Sequence, residues 1–396
     1  MPSAPPASPQ KPRVLEIISG FAVEGPLGGI ERFGIELTRQ LARREIHPIL
    51  CGMWDYGTPF DRSWRDRLVA EGIEAFIAAP WEEDAVYSSF VQAVRGMRRA
   101  VPGTVDIIHS HCQFGDGVAL LLAGPLRAKA LVRTVHNERE WPKRPLRRLL
   151  FTNGLFPALF QAELGVSRQV VKNLDRRPIA RLLGRRGEYL PNALDFSRFT
   201  DLRVDKMAKR RELGIPVQGP LVGSVGRLTH QKGYDVLIRS IPEVLRQIPD
   251  AHFVIVGSGE LDAILRGQAQ DAGIADRVTF AGSRSDVEAI LGTLDLFVSS
   301  SLWEGLPTVI LESIAAKTPV VGTQVSGTTE LIRDGESGLL VEADNPQALA
   351  GAIVTSLQNP VQAKAQAESA FNYAFQHYSI TAVTDAHESL YRRLLG

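Results

Sequence analysis

Short apolar runs alternate with helical stretches along this chain, and the alternation restarts halfway. In the first half, strand patterns fall at 13–19, 47–51, 72–77, 106–110, 131–136 and 163–167. A helix over 30–44 keeps Phe33, Leu37 and Leu41 on one face, and another over 61–71 leads into the third strand. In the second half, strands are expected at 221–226, 252–256, 278–280, 294–298 and 319–321, with a short return strand at 338–341. Helices are expected near 234–247, 261–272, 286–293, 308–317 and 346–358. Strand, helix, strand at this spacing requires a mostly parallel sheet covered on both faces. The fold class is therefore α/β, with two doubly wound sheets. A chain of 396 residues suits two domains better than one. The expected divisions are a tail (1–12), a first domain (13–195), a second domain (196–378) and a closing amphipathic helix (379–396). Two such domains imply a cleft, which is a natural ligand site and hinge.

Composition narrows the setting. Apolar residues make up 44% and charged residues 22%, as in ordinary globular proteins. Two cysteines, Cys51 and Cys112, form no disulfide framework, so a reducing interior is expected. The Pro-, Ser- and Ala-rich residues 1–12 lack the apolar core of a signal peptide and read as a disordered tail. No run of apolar residues is long enough to span a bilayer. The expected location is the cytoplasm. Charge is uneven, with eleven Lys and Arg against three Asp and Glu over 141–190. Arg147, Arg148, Arg176, Arg177, Arg181, Arg185 and Arg186 dominate this basic region, taken as 143–186. A solvated helical surface would look the same. The sharper alternative is contact with an acidic or phosphorylated acceptor or with anionic headgroups at the inner face of the cell membrane. Nucleic acid is not expected, because no aromatic residues interleave as a stacking platform and no binding motif is present.

The run Glu304-Gly-Leu-Pro-Thr-Val-Ile-Leu-Glu312 carries the most chemistry. It follows an apolar strand, and Pro307 suits a first helical turn, where its missing N–H costs nothing. Helix N-termini beside strand ends hold anions in open α/β sheets. Two carboxylates beside a phosphate site are suited to accept hydrogen bonds from hydroxyls. A ligand with both phosphates and sugars is the first suggestion. Gly226-Arg-Leu-Thr-His-Gln-Lys232 leaves a strand for a helix, and Arg227 and Lys232 can neutralise charge on a departing phosphate. Gly28-Gly29 can bring backbone N–H groups near a diphosphate, although a tight turn would need the same residues. Gly257-Ser-Gly259 looks like half of a phosphate turn, and the loop at Arg284 can present its backbone to a base. No G-x-G-x-x-G fingerprint or P-loop is present, which counts against a nicotinamide dehydrogenase. His109 and His111 lie two apart on a strand and lack a third ligand at motif spacing, so zinc is not expected. His111, nearer the loop, is the choice for the active histidine, and His136 offers a second polar contact.

Together these elements resemble the retaining glycosyltransferases of family 4, which have the two-Rossmann-domain GT-B architecture. The E-x7-E element from Glu304 to Glu312 is the most specific part. Gly226-Arg227, Lys232-Gly233, Val256-Gly257-Ser-Gly259, Gly327-Thr-Thr-Glu330, Gly28-Gly29-Ile-Glu31 and His109-Ser-His111 add to it. The resemblance implies a nucleotide sugar held mainly by the second domain and a glycan, glycolipid or lipid-linked acceptor held by the first. Arg227 and Lys232 would hold the diphosphate, Glu304 the donor sugar and Glu312 the ribose. Gly28 and Gly29 would approach the diphosphate. Gly226 and Gly257 would belong to the nucleotide site, and Arg284 to its base. Gly305, Leu306, Pro307 and Thr308 would line the sugar and phosphate pocket. His111 would sit by the reacting centre, and the last helix would cross back to the first domain. No metal is expected, since GT-B enzymes are usually metal-independent and no convincing Asp-x-Asp pattern is present. A UDP-sugar is favoured over GDP-mannose, with ADP-glucose also open. The reaction would serve synthesis of surface polysaccharide, lipopolysaccharide or glycolipid. A UDP-sugar 2-epimerase of the same fold and an inactive sugar-nucleotide-binding protein are the alternatives.

Overall fold

The computed structural model describes residues 11–21, 28–138, 140–141, 144–200 and 202–396. The expected tail lies outside these residues apart from Lys11 and Pro12, as does Lys143 at the start of the basic region.

The first sheet has seven parallel strands: β1 (Arg13–Ile18), β2 (His47–Asp55), β3 (Glu74–Pro80), β4 (Ile107–Ser110), β5 (Ala130–Val135), β6 (Ala162–Gly165) and β7 (Glu188–Tyr189). Their order is β3-β2-β1-β4-β5-β6-β7. The second has six: β8 (Leu221–Val225), β9 (His252–Val256), β10 (Val278–Gly282), β11 (Leu296–Ser299), β12 (Val320–Thr323) and β13 (Leu339–Val341). Their order is β10-β9-β8-β11-β12-β13. Both sheets are doubly wound, and the two Rossmann-like units face each other as in GT-B proteins. The strands are apolar because helices cover both faces; β8 and β9 are buried along their whole length.

β2 and β7 depart most from the sequence pattern. β2 continues four residues past the expected end, because β1 and β3 pair with it on either side through Gly52. β7 was not foreseen; two residues pairing with Leu164 and Gly165 are too short to show any periodicity.

Five helices matter for the site: α1 (Gly29–Ala42), α2 (Tyr234–Gln247), α3 (Thr308–Ala315), α4 (Pro360–Tyr378) and α5 (Ile380–Leu395). Pro307 precedes α3, and Lys317, in the left-handed region at φ 55°, ends the turn that follows it. The chain passes between the sheets at Leu194 and returns at Ser379. These two passages are tied together: Leu194 N–H donates to Tyr378 O and Ile380 N–H to Leu194 O, both at 2.9 Å. Beyond this point α5 packs on the first sheet, where Ile380, Val383, Leu390 and Tyr391 share a core with Val14, Phe33, Leu37 and Leu41. Each such buried side chain contributes roughly 1.5–3 kcal/mol.

Candidate active site

In each sheet the strand order reverses once, between β1 and β4 and between β8 and β11. Ligands of open α/β sheets sit outside the carboxyl ends of strands at such a point. Here both points open onto one cleft of about 600 Å³ between the domains.

The floor from the second domain is the turn before α3. Glu304 is 5% exposed, and its Oε1 accepts from Lys232 Nζ at 2.5 Å and from Ser301 Oγ at 2.7 Å. Lys232 stands before Gly233, whose left-handed φ of 60° starts α2. A Cβ on Gly233 would come within 2.2 Å of Ser300 O, so only glycine lets the two loops meet here. Arg227 is exposed on the cleft and has no ion-pair partner among the described residues. Eight residues beyond Glu304, Glu312 Oε1 lies 3.3 Å from Arg32 Nη1 on α1 of the first domain. Burial pushes the Glu312 carboxyl above its ordinary value, and Arg32 and Arg198 pull against that.

The facing wall comes from the first domain. Gly28, with φ 93°, caps α1, and Gly29 follows it. A Cβ on Gly29 would sit 2.8 Å from Thr308 Oγ1, so α1 and α3 meet end to end across the cleft. The Gly305 turn touches the first domain just as closely, because a Cβ there would lie 2.3 Å from the His136 carbonyl oxygen. Arg168 N–H also donates to Glu330 Oε1 at 2.6 Å, and Ser326 bonds to Glu138. The domains are thus closed on one another.

Among the residues singled out from the sequence, Gly28, Gly29, Gly226, Arg227, Lys232, Glu304, Gly305, Leu306, Pro307, Thr308 and Glu312 all line this cleft. Three do not. Gly257 lies outside the lining, and Arg284 is drawn away to Asp286 and Glu212. His111 sits deeper, 1% exposed, with Nε2 2.9 Å from Glu16 Oε2. His136, at the end of β5, is the histidine on the cleft wall. Burial, and then His111 and His109, hold its imidazole well below the ordinary value, so it is neutral. Sequence reasoning missed Ser19, Arg32, Tyr56 and Gln231 on the lining. Their one signal was position, after β1, inside α1, after β2 and just before Lys232.

Below this wall Glu16, His109 and His111 bring ligand atoms within 4.8 Å of one another, all buried. Those atoms already face protein partners. Tyr391 OH donates to Glu16 Oε1 at 2.7 Å, and His109 Nδ1 and Nε2 meet Tyr391 OH and Thr134 Oγ1 at 2.6 and 2.8 Å. Burial alone would raise the Glu16 carboxyl, but His109 and His111 overcome it and hold the group well below the carboxylate range.

Comparison with known proteins settles the family. The model for glycosyl transferases group 1 matches residues 205–373, and that for Glycosyltransferase Family 4 matches 27–198. The D-inositol 3-phosphate glycosyltransferase of Acidothermus cellulolyticus is 31% identical over 365 residues, 83% of this chain and 78% of its own. The chain belongs to glycosyltransferase family 4. The lipopolysaccharide core biosynthesis glycosyltransferase LpsE of Rhizobium meliloti is 29% identical over 316 residues, covering 78% of this family 4 enzyme and 91% of LpsE. In fold, the enzyme matches Anabaena HepE, solved with UDP and glucose, at a TM-score of 0.79 and 19% identity over 96% of this chain and 99% of that one. This family 4 glycosyltransferase is therefore an enzyme that uses a nucleotide-sugar donor. No helix among its described residues is long and apolar enough to cross a membrane.

Proposed function

We propose that this enzyme moves a sugar from a UDP-sugar to a glycan or lipid-linked acceptor, with retention of configuration and without a metal. The Lys232–Glu304 pair beside the uncommitted Arg227, at the start of α3, carries the proposal. As the glycosyl–phosphate bond breaks, negative charge grows on the diphosphate. Arg227, Lys232 and the N–H groups opening α3 answer that charge, the work that a metal does in other enzymes. Lys232 is then shared between phosphate and Glu304, and Glu304 accepts from a hydroxyl of the donor sugar. Glu312 gives up Arg32 for the ribose hydroxyls. The acceptor oxygen bonds to the anomeric carbon on the face that the diphosphate leaves. Its proton passes to the departing phosphate oxygen, so atoms and charge balance. HepE, solved with UDP and glucose, supports the UDP assignment, and LpsE supports a role in lipopolysaccharide or related glycan synthesis. A thermal-shift comparison of UDP, GDP and ADP tests the donor, since a ligand at about a hundred times its Kd adds about 2.7 kcal/mol. UDP should raise Tm most. A larger shift with GDP would move the assignment to that base, and no shift with any of the three would sink the donor site.

We further infer peripheral attachment to the inner face of the cell membrane through the basic region. A helix through 145–159, widened to i→i+5 bonding over Arg148–Leu155, leaves Leu146, Leu149, Leu150, Phe151, Leu155 and Leu159 exposed. Arg144 and Arg148 are exposed among them, and the neighbouring segment adds Arg176, Arg181, Leu182, Arg185 and Arg186. Apolar side chains fringed by arginines suit an anionic bilayer. Arg177, counted with this surface from sequence, instead turns inward to Glu163 and Thr152 O. The enzyme should sediment with phosphatidylglycerol vesicles, less so at high salt, and not with phosphatidylcholine vesicles. Leu149→Glu with Leu150→Glu should abolish this while keeping the UDP shift. Failure of the native enzyme to bind anionic vesicles at low salt would reject the attachment.

A further inference from the structure

The run Gly327-Thr-Thr-Glu330 has no part in the chemistry above, yet it stands where three pieces of the enzyme meet. It belongs to a short helix of the second domain, Ser326–Leu331. Six residues make this helix roughly 9 Å long, a single stiff piece.

Its first turn rests on the donor side of the cleft. Ser326 Oγ lies 3.1 Å from the Glu304 carbonyl oxygen and also meets the Glu138 carboxylate of the first domain. Gly327 packs so tightly that a Cβ on it would lie 2.1 Å from Gly305 O. A shift of the Glu304–Gly305 backbone therefore moves the helix with it, because close-packed atoms transmit displacement.

Its last turn reaches the first domain. Glu330 Oε1 accepts from Arg168 N–H at 2.6 Å. Arg168 opens a first-domain helix, Arg168–Asp175, with Ser167 as its N-cap. The first N–H groups of a helix have no partner within it. Ser167 Oγ meets that of Val170, and the carboxylate from the other domain meets that of Arg168. Burial pushes the Glu330 carboxyl above its ordinary value, and the groups that pull it back, Arg168, Tyr189 and Lys172, all belong to the first domain. Glu330 O accepts from Tyr378 OH at 3.1 Å, one residue before the chain returns at Ser379, and Tyr378 OH lies 3.2 Å from Tyr189 OH.

We propose that the helix Ser326–Leu331 couples donor binding to domain closure, with Glu330 as the positioning residue. The donor turn sets one end, and the other end caps the helix Arg168–Asp175 when the domains meet. Glu330 is not on the cleft lining, so it acts through this cap and not on the nucleotide. Linkage makes the effect reciprocal: what the cap contributes to closure, it also contributes to nucleotide affinity. The proposal rests on the UDP-sugar function above and adds a residue to it.

Small-angle scattering and UDP calorimetry on the full chain test this. Glu330→Ala should enlarge the radius of gyration without nucleotide and return toward the native radius at saturating UDP. It should bind UDP about fivefold more weakly, the loss expected for one helix cap. Glu330→Gln keeps an acceptor for Arg168 N–H and should restore both radius and affinity to near native. Should Glu330→Ala fail to fold, Arg168→Pro removes the same N–H from the other side, at a first helical position that tolerates proline. It must reproduce the opening and the weaker binding, and Arg168→Ala, which keeps the N–H, must not. A native radius in Glu330→Ala, an opened variant with native UDP affinity, or a Gln variant no better than the Ala variant overturns the coupling. The radius without nucleotide is read whatever the donor is. No UDP binding by the native enzyme rejects the UDP assignment, whereas a native radius in Glu330→Ala rejects the cap.

Discussion

Lys232→Ala is expected to lower the transfer rate about 10²- to 10³-fold, the loss seen when one preorganised charge-stabilising group is removed. Two things disappear together in this variant. The leaving diphosphate loses a cation aimed at it, and Glu304 loses the ammonium held at 2.5 Å from Oε1. Glu304 is 5% exposed, so its carboxylate keeps Ser301 but little water to replace the lysine. Breaking a buried pair on one side leaves an uncompensated charge, so Tm should fall as well. Lys232→Ala with Glu304→Gln should recover much of the stability and none of the rate. Rates at saturating acceptor, read beside Tm for the two variants and the native enzyme, separate the two effects. Native turnover in Lys232→Ala would refute the assigned role.

Gly305→Ala is the second large effect, and it acts on closure. The added methyl would lie 2.3 Å from the His136 carbonyl oxygen of the other domain. Behind it, Gly327 is packed so that its own Cβ would come within 2.1 Å of Gly305 O. Backbone therefore presses on backbone from both sides, and no flexible side chain can yield. The domains must stand apart, and a displacement of about 1 Å at a reacting centre costs on the order of a hundredfold in rate. Each domain keeps its own core, so circular dichroism should stay near native, while the UDP shift, which draws on Gly305 and on both walls of the cleft, should shrink. Gly351→Ala is the control: it lies on a helix with nothing within 4 Å of the new methyl, and it should be neutral or slightly stabilising. Native kcat in Gly305→Ala would show that this contact is not required for turnover.

Local chemistry explains what could be read in advance. The 304–312 run announces itself because a proline, a glycine and an apolar helix face are all local signals. The same holds for Gly28-Gly29 and for central strands such as β8 and β9, whose burial along their whole length keeps them mostly apolar. The unread parts depend on which loops meet. Arg32 is an ordinary charge on α1 until α3 brings Glu312 against it. His111 and His136 both follow strands, and only the depth of β4 in the sheet separates one on the cleft from one beneath it. Arg177 sits in a run of arginines, and nothing in that run shows that it will turn to a buried Glu163.

The way α5 packs has a consequence for the order in which the enzyme forms. Glu16, near the start of the chain, takes its hydroxyl partner from Tyr391, 375 residues later. Leu390 and Tyr391 fill the same core as Val14 and Phe33. On the ribosome, the strands of the first sheet emerge early and wait, with the Glu16 carboxylate and His109 still short of the Tyr391 hydroxyl. The second sheet has all its strands by Val341, and its core is completed by Ala370, Ala374 and Tyr378 of α4, before α5 is made. The sheet that is made first is thus the last to be sealed, because α5 follows α4 in the chain.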